Sequence, residues 1–92
     1  MTRASSAVGE FIITNELGLH FRAAAMVVRT AGRFDCRVTI SNGSSKAVAT
    51  SVLDLLTLAA TCGTKVVVRA EGPEAKIAVE ALGSLIERQF AE

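Results

Sequence analysis

The chain of 92 residues contains a single histidine, His20, within the stretch GLHFRAAAMVVR. Over residues 21–31, apolar side chains recur at three- and four-residue spacings, which predicts a helix that Gly32 would end. His20 would then lie at the N-terminus of this helix, where backbone N–H groups lack intrahelical acceptors and the positive end of the helix dipole faces outward. Such a position attracts phosphate.

Arginine side chains extend this positive environment along the predicted helix. Arg22 and Arg29 are seven positions apart, so they project along nearly the same line, with Met26 between them. Arg22 and Arg29 thus form a basic stripe, which Arg33 would extend only if the helix continued that far. A neutral imidazole, a nearby guanidinium and helix-end N–H groups can accept a phosphoryl group in line and hold its charged oxygens. These residue types therefore predict phosphoryl transfer to His20.

Other chemistries have little support in the sequence. It has no Walker glycine loop and no dinucleotide-binding glycine motif. Cys36 and Cys62 have neither CxxC spacing nor a histidine companion, so we expect no bound metal and no disulfide. Ten basic and nine acidic side chains give a net charge of +1, and no Trp or Tyr offers a stacking platform. We therefore expect no nucleic-acid partner.

The hydropathy pattern bears on localisation. The longest apolar stretches, such as residues 52–60, are at most about half of the ~20 residues that span a bilayer. The N-terminal residues lack the apolar segment of a secretory signal, and we interpret residues 1–8 as a flexible tail. We expect a cytoplasmic protein of one domain, over residues 1–92, without membrane insertion.

The remaining patterns predict the elements that position His20. Runs that are β-branched or alternate between polar and apolar predict strands at residues 10–14, 36–41 and 65–71, and a hairpin at Asn42-Gly43 predicts a short strand at residues 45–49. Further helices are predicted at residues 52–59 and after Gly72-Pro73-Glu74. The order is β-α-β-β-α-β-α. Strands with one polar face, and helices that can cover only the other, predict a two-layer α+β sandwich.

Ser51 precedes the second predicted helix, and Asp54 follows three residues later. This spacing resembles a capping box. As the N-cap residue, Ser51 would satisfy a backbone N–H group of the helix, which contributes about 1 kcal/mol. A structural role therefore suffices to explain this serine.

The segment GLHFRAA at residues 18–24 resembles the phosphocarrier family HPr of the phosphotransferase system, whose motif runs Gly-Leu-His-x-Arg-Pro-Ala. The resemblance covers residues 8–90 and includes the order of the elements. It implies an open-faced sandwich with a four-stranded antiparallel sheet and three helices on one face. Residues 51–56 look more like the nitrogen-related NPr branch of the family.

The resemblance also implies the roles of the residues around His20. His20 would accept a phosphoryl group on Nδ1 from an enzyme I type donor, itself charged from phosphoenolpyruvate, and pass it to a IIA type acceptor. Arg22 would neutralise the phosphoryl charge, and the backbone N–H groups of Phe21 and Arg22 would complete the pocket. The protein would be a monomeric covalent intermediate rather than an enzyme, with no cofactor and no metal of its own.

Partner proteins would dock beside this pocket. We expect the docking surface to include Phe21, Met26, Arg29 and Leu53, of which Leu53 matches an apolar position that meets partners in the family. Ser51 matches a position that is phosphorylated by a regulatory kinase in some Gram-positive relatives.

Two residues depart from the family motif. Ala23 replaces the proline that pre-sets the first helical turn, and Phe21 replaces a residue that is usually small. Neither change removes a group that the transfer requires. One alternative is a regulatory docking protein with an HPr-like fold that acts without phosphorylation, so that replacing His20 by alanine would leave its binding intact. A second alternative is a small α+β module that binds a ligand or nucleic acid.

Overall fold

The computed structural model describes residues 5–91, and its elements follow the predicted order. The strands are β1 (Ser6–Ile12), β2 (Arg37–Asn42), β3 (Ser45–Val48) and β4 (Lys65–Glu71). The helices are α1 (Phe21–Ala31), α2 (Val52–Leu56) and α3 (Ala75–Glu87). The strands form one antiparallel sheet in the order β1-β4-β2-β3. This arrangement confirms the predicted α+β class, an open-faced sandwich with three helices.

The two central strands alternate between the core and the open face of the sheet. Val38 and Ile40 of β2, and Val66 and Val68 of β4, are at most 3% exposed, whereas Arg37 and the other residues between them are exposed or half-buried. The buried faces of the helices cover these residues and complete one core cluster. Within residues 5–91, no helix is both long enough and apolar enough to cross a membrane.

The first strand begins earlier than predicted. β1 starts at Ser6 rather than Glu10, so residues 6–8 of the predicted tail pair with β4, and Ser6 lies opposite Glu71. Residues 1–4 of that predicted tail lie outside the described residues. The full length of β4 offers hydrogen-bonding groups to a neighbour, so the partner strand determines where β1 begins, whatever the composition of β1 itself.

The second helix is shorter than predicted. α2 ends at Leu56, and the chain continues through tighter turns in which Leu58 and Ala59 donate to carbonyls three residues earlier, at 3.1 and 3.3 Å. Ala59 then has a φ of 51°, which is incompatible with a right-handed helix. The helical periodicity of residues 57–59 therefore does not correspond to a helix.

The hairpin between β2 and β3 turns one residue later than predicted. Asn42 pairs with Ser45, so the two-residue loop is Gly43-Ser44, and of the two only Gly43 has a positive φ, 63°. Asn42 remains in β2, where its Nδ2 donates to the carbonyl of Leu58 at 2.9 Å. β2 itself begins at Arg37 rather than Cys36.

Close packing joins α3 to β1 at Gly83, where a Cβ atom would overlap the ring of Phe11. We predict that Gly83→Ala lowers the free energy of unfolding by about 1–3 kcal/mol, because this overlap outweighs the better helix propensity of alanine. Urea unfolding followed by circular dichroism measures the change.

A double-mutant cycle provides the control for this contact. The cost of Gly83→Ala should be smaller in a Phe11→Leu background, because leucine lacks the ring that the new methyl group meets. An equal cost in both backgrounds, or a Gly83→Ala variant as stable as the wild type, would show that this contact does not limit the packing of α3.

Candidate functional site

A tight turn fixes the chain just before His20. Gly18 donates its N–H to the carbonyl of Asn15 at 3.1 Å, and the Nδ2 of Asn15 donates to the carbonyl of Gly18 at 2.7 Å. The next residue, Leu19, donates its N–H to the carbonyl of Ala60 at 2.8 Å. The turn is thus attached to the segment that follows α2, and this attachment sets the starting point of α1.

His20 is the N-cap residue of α1, as predicted. Its Nδ1 accepts a long hydrogen bond from the backbone N–H of Ala23 at 3.5 Å, and its carbonyl accepts one from Ala24 at 2.8 Å. Because Nδ1 is the acceptor, the neutral ring carries its proton on Nε2. The lone pair of Nδ1 therefore faces the first turn of α1, and the side chain is half-buried.

His20 and Arg22 both line a cavity of about 370 Å³. The sequence had placed these two residues together, and Glu16 adds a carboxylate to the same cavity. Its other lining residues come from the preceding turn, from α1 and from the end of the chain: Asn15, Leu17, Met26, Gln89, Phe90 and Ala91.

The C-terminal wall of this cavity is not predicted from the sequence. Gln89 and Phe90 both have positive φ angles, 60° and 58°, which turn the chain after α3, and Phe90 is only 6% exposed. Non-glycine residues rarely adopt this conformation, and no residue pattern predicts it here. The one available signal was an aromatic residue beyond the last predicted helical stripe.

The residues predicted to dock partners differ in exposure. Phe21 and Leu53 are 65% and 76% exposed, and Leu17, which the sequence analysis did not select, is 73% exposed. Arg29 is also exposed. Met26 is only 7% exposed because it packs into the core cluster, although it also lines the cavity. The docking roles of Phe21, Met26, Arg29 and Leu53 stay predictions.

A second groove adjoins the first, since Met26 lines both. It has a volume of about 250 Å³ and is lined by Arg29, Arg33 and Arg88, together with Thr30 and Leu85. Arg33 lies beyond the end of α1, yet it shares this groove with Arg29. The predicted basic stripe therefore continues past the helix.

Ser51 is the N-cap residue of α2, as predicted, and its Oγ accepts the N–H of Asp54 at 3.2 Å. The reciprocal half of the capping box is not formed. The Oδ2 of Asp54 accepts instead the N–H of Val48 at 2.8 Å, which joins α2 to β3. Regulatory phosphorylation of Ser51 stays a prediction.

The two cysteines are free thiols in different environments. Cys62 is exposed and Cys36 is partly buried. Burial raises the pKa of the Cys36 thiol, and the charges of Glu74 and Asp35 raise it further. Among residues 5–91, no three His, Cys, Asp or Glu side chains are grouped closely enough to hold a metal ion.

We predict that iodoacetamide modifies Cys62 before Cys36. The raised pKa of Cys36 leaves less thiolate at any pH below it, and the thiolate is the reactive form. Peptide mass spectrometry after a short reaction near pH 8 measures the order. A Cys62→Ser variant should react slowly, and preferential labelling of Cys36 would contradict the prediction.

Gly18 combines a positive φ of 66° with a close approach to Ala60, whose carbonyl oxygen would lie 2.5 Å from an added Cβ. We predict that Gly18→Ala lowers the free energy of unfolding by about 1–3 kcal/mol and shifts the amide resonances of Leu19 and His20. Chemical denaturation and two-dimensional NMR measure these effects.

Gly43→Ala provides the matched control for this variant. Gly43 also has a positive φ, 63°, but nothing lies within 4 Å of an added Cβ. The control therefore has the backbone strain without the collision. Equal costs for the two variants would mean that the approach to Ala60 is unimportant.

Comparisons with known proteins agree with this geometry. The family model described as PTS HPr component phosphorylation site matches residues 8–88. The phosphocarrier protein HPr of Xylella fastidiosa is 40% identical over 83 residues, which cover 90% of this chain and 93% of that protein. The phosphocarrier protein NPr of Shewanella violacea is 40% identical over 80 residues, covering 87% and 88% of the two chains.

The structural comparison gives the same family. The crystal structure of HPr-C-His from Thermoanaerobacter tengcongensis superposes with a TM-score of 0.89 at 34% identity, over 94% of this chain and 97% of that one. Together with the open-faced sheet and the histidine at the start of α1, this similarity defines a phosphocarrier protein of the phosphotransferase system. The chain belongs to the HPr family.

Proposed function

We propose that His20 is the phosphoryl acceptor of this carrier, and that Nδ1 is the atom that receives the group. The donor is an enzyme I type protein charged from phosphoenolpyruvate, the acceptor is a IIA type protein, and both transfers take place in the cytoplasm. One observation carries the proposal: Nδ1 faces the first turn of α1, 3.5 Å from the N–H of Ala23, in a cavity that Arg22 also lines. No cofactor or metal is needed.

The transfer is an in-line displacement between histidines. The Nδ1 lone pair of His20 forms a bond to phosphorus while the bond from phosphorus to the donor nitrogen breaks, and that electron pair stays on the donor ring. His20 then carries the phosphoryl group on Nδ1 and its proton on Nε2. In the second transfer, a nitrogen of the acceptor histidine bonds phosphorus while the bond from phosphorus to Nδ1 of His20 breaks, and that electron pair returns to Nδ1.

Two kinds of group stabilise the transferred phosphoryl oxygens. Backbone N–H groups of the first turn of α1, from Phe21 and Arg22, are donors that a helix does not use internally. The Arg22 guanidinium supplies a full positive charge and a planar pair of donors. The side chains of Phe21, Arg29 and Leu53, which are exposed, would contact the partner proteins.

We expect phosphoenolpyruvate, magnesium and an active enzyme I from the same source to add one acid-labile phosphate. Intact mass and ³¹P NMR detect the phosphoramidate, and His20→Ala should abolish it because the chain has one histidine.

Arg22→Gln should retain His20 but slow phosphorylation about tenfold to a hundredfold, since one charged donor is lost. Arg69→Gln, which removes the same charge from β4 of the sheet, should leave the rate unchanged.

An unmodified wild-type protein in the presence of a demonstrably active enzyme I would overturn this proposal. The regulatory docking alternative would then be tested by comparing the partner affinities of wild type and His20→Ala. Phosphate that persists in His20→Ala would place the acceptor elsewhere.

A further inference from the structure

The backbone N–H of Ala23 is a donor that touches the reacting atom of His20. It is the third N–H group of α1, and it donates to Nδ1 at 3.5 Å. The HPr motif has proline at this position, and proline has no backbone N–H. The substitution that departs from the motif therefore adds a hydrogen-bond donor beside Nδ1.

We infer that the Ala23 N–H binds the phosphoryl group after transfer, as a donor that this chain has in place of the proline of the motif. The inference rests on the proposed role of His20. In the free protein this N–H orients the ring through Nδ1. Once Nδ1 uses its lone pair to bond phosphorus, the N–H loses its acceptor, and a phosphoryl oxygen bonded to Nδ1 becomes the nearest replacement. The amide keeps its proton throughout.

This exchange favours the phosphorylated state. A hydrogen bond from N–H to a charged oxygen is shorter and stronger than one to a neutral acceptor, and the present bond is already long at 3.5 Å. Ala23 is 0% exposed, so water does not compete for its N–H. The hydrogen bond from the Ala23 N–H is therefore stronger in the phosphorylated protein than in the free protein. This difference shifts the transfer equilibrium toward phosphorylation.

Backbone substitutions separate this donor from the side chain. Ala23→Pro removes the N–H and restores the residue of the motif, in the first turn of a helix where proline is tolerated. Ala23→Gly retains the N–H and serves as the matched control. Since Ala23 is fully buried, the ring of proline can disturb packing. A third variant therefore carries lactate at position 23, which replaces only the N–H by an ester oxygen and is accessible by peptide ligation at Cys36.

Two measurements test the inference on the full chain. The first is the equilibrium constant for phosphoryl exchange with enzyme I, which should fall about tenfold in the proline and lactate variants and stay unchanged in the glycine variant. The second is the ¹⁵N spectrum of the His20 ring in the free protein, in which the same two variants should show a larger fraction of the tautomer protonated on Nδ1.

The outcomes distinguish this inference from the proposed function. If the lactate variant is phosphorylated with the wild-type equilibrium constant, the Ala23 N–H does not bind the phosphoryl group, although His20 remains the acceptor. An equal fall in the glycine variant, which keeps the N–H, would attribute the effect to a disturbed start of α1 rather than to the missing donor, and would overturn the inference. If the wild-type protein itself accepts no phosphate, both proposals are wrong.

Discussion

The position of His20 depends on one backbone hydrogen bond, from the N–H of Leu19 to the carbonyl of Ala60 at 2.8 Å. It attaches the turn before α1 to the segment after α2. Further along, Gly63 donates to the carbonyl of Ile13 at 2.7 Å and thereby attaches the same segment to the end of β1. Two stretches of chain that are distant in sequence, residues 13–19 and residues 60–63, are therefore joined just before the histidine. Their attachment converts a loop residue into an N-cap residue of fixed orientation.

The elements that could be predicted from the sequence are those determined by local patterns. Strand β4 and helix α1 have the predicted bounds, because alternation and helical spacing act within each segment. The predicted start of β1 and the predicted end of α2 were wrong, because contacts with other parts of the chain determine these bounds. β1 extends to Ser6 along β4, and α2 stops early because the turn at Ala59 brings Ala60 to Leu19.

The residues of the candidate site also fall into those that the local sequence predicts and those that it does not. His20 and Arg22 were predicted together because they are neighbours in the sequence at one helix end. Phe90 was not, since it reaches the cavity from the far end of the chain through a conformation without a sequence signature. Met26 shows a different limit. Helical spacing gives the direction of a side chain between Arg22 and Arg29, but not how far the surrounding elements cover it, and here they leave 7% exposed.

A phosphoryl carrier must hold its group firmly enough to be charged and weakly enough to be discharged. Backbone N–H groups at a helix end suit this task, because the helix fixes them before the group arrives and they need no reorganisation in either direction. Their positions are set by the hydrogen bonds and packing that fix the start of α1. In the proposed transfer, Arg22 would add a charge whose effect on the phosphoryl group grows when a docking partner excludes solvent from the cavity. The proposed carrier would then supply donors fixed by its helix, and each partner would modify the electrostatic environment that decides the direction of transfer.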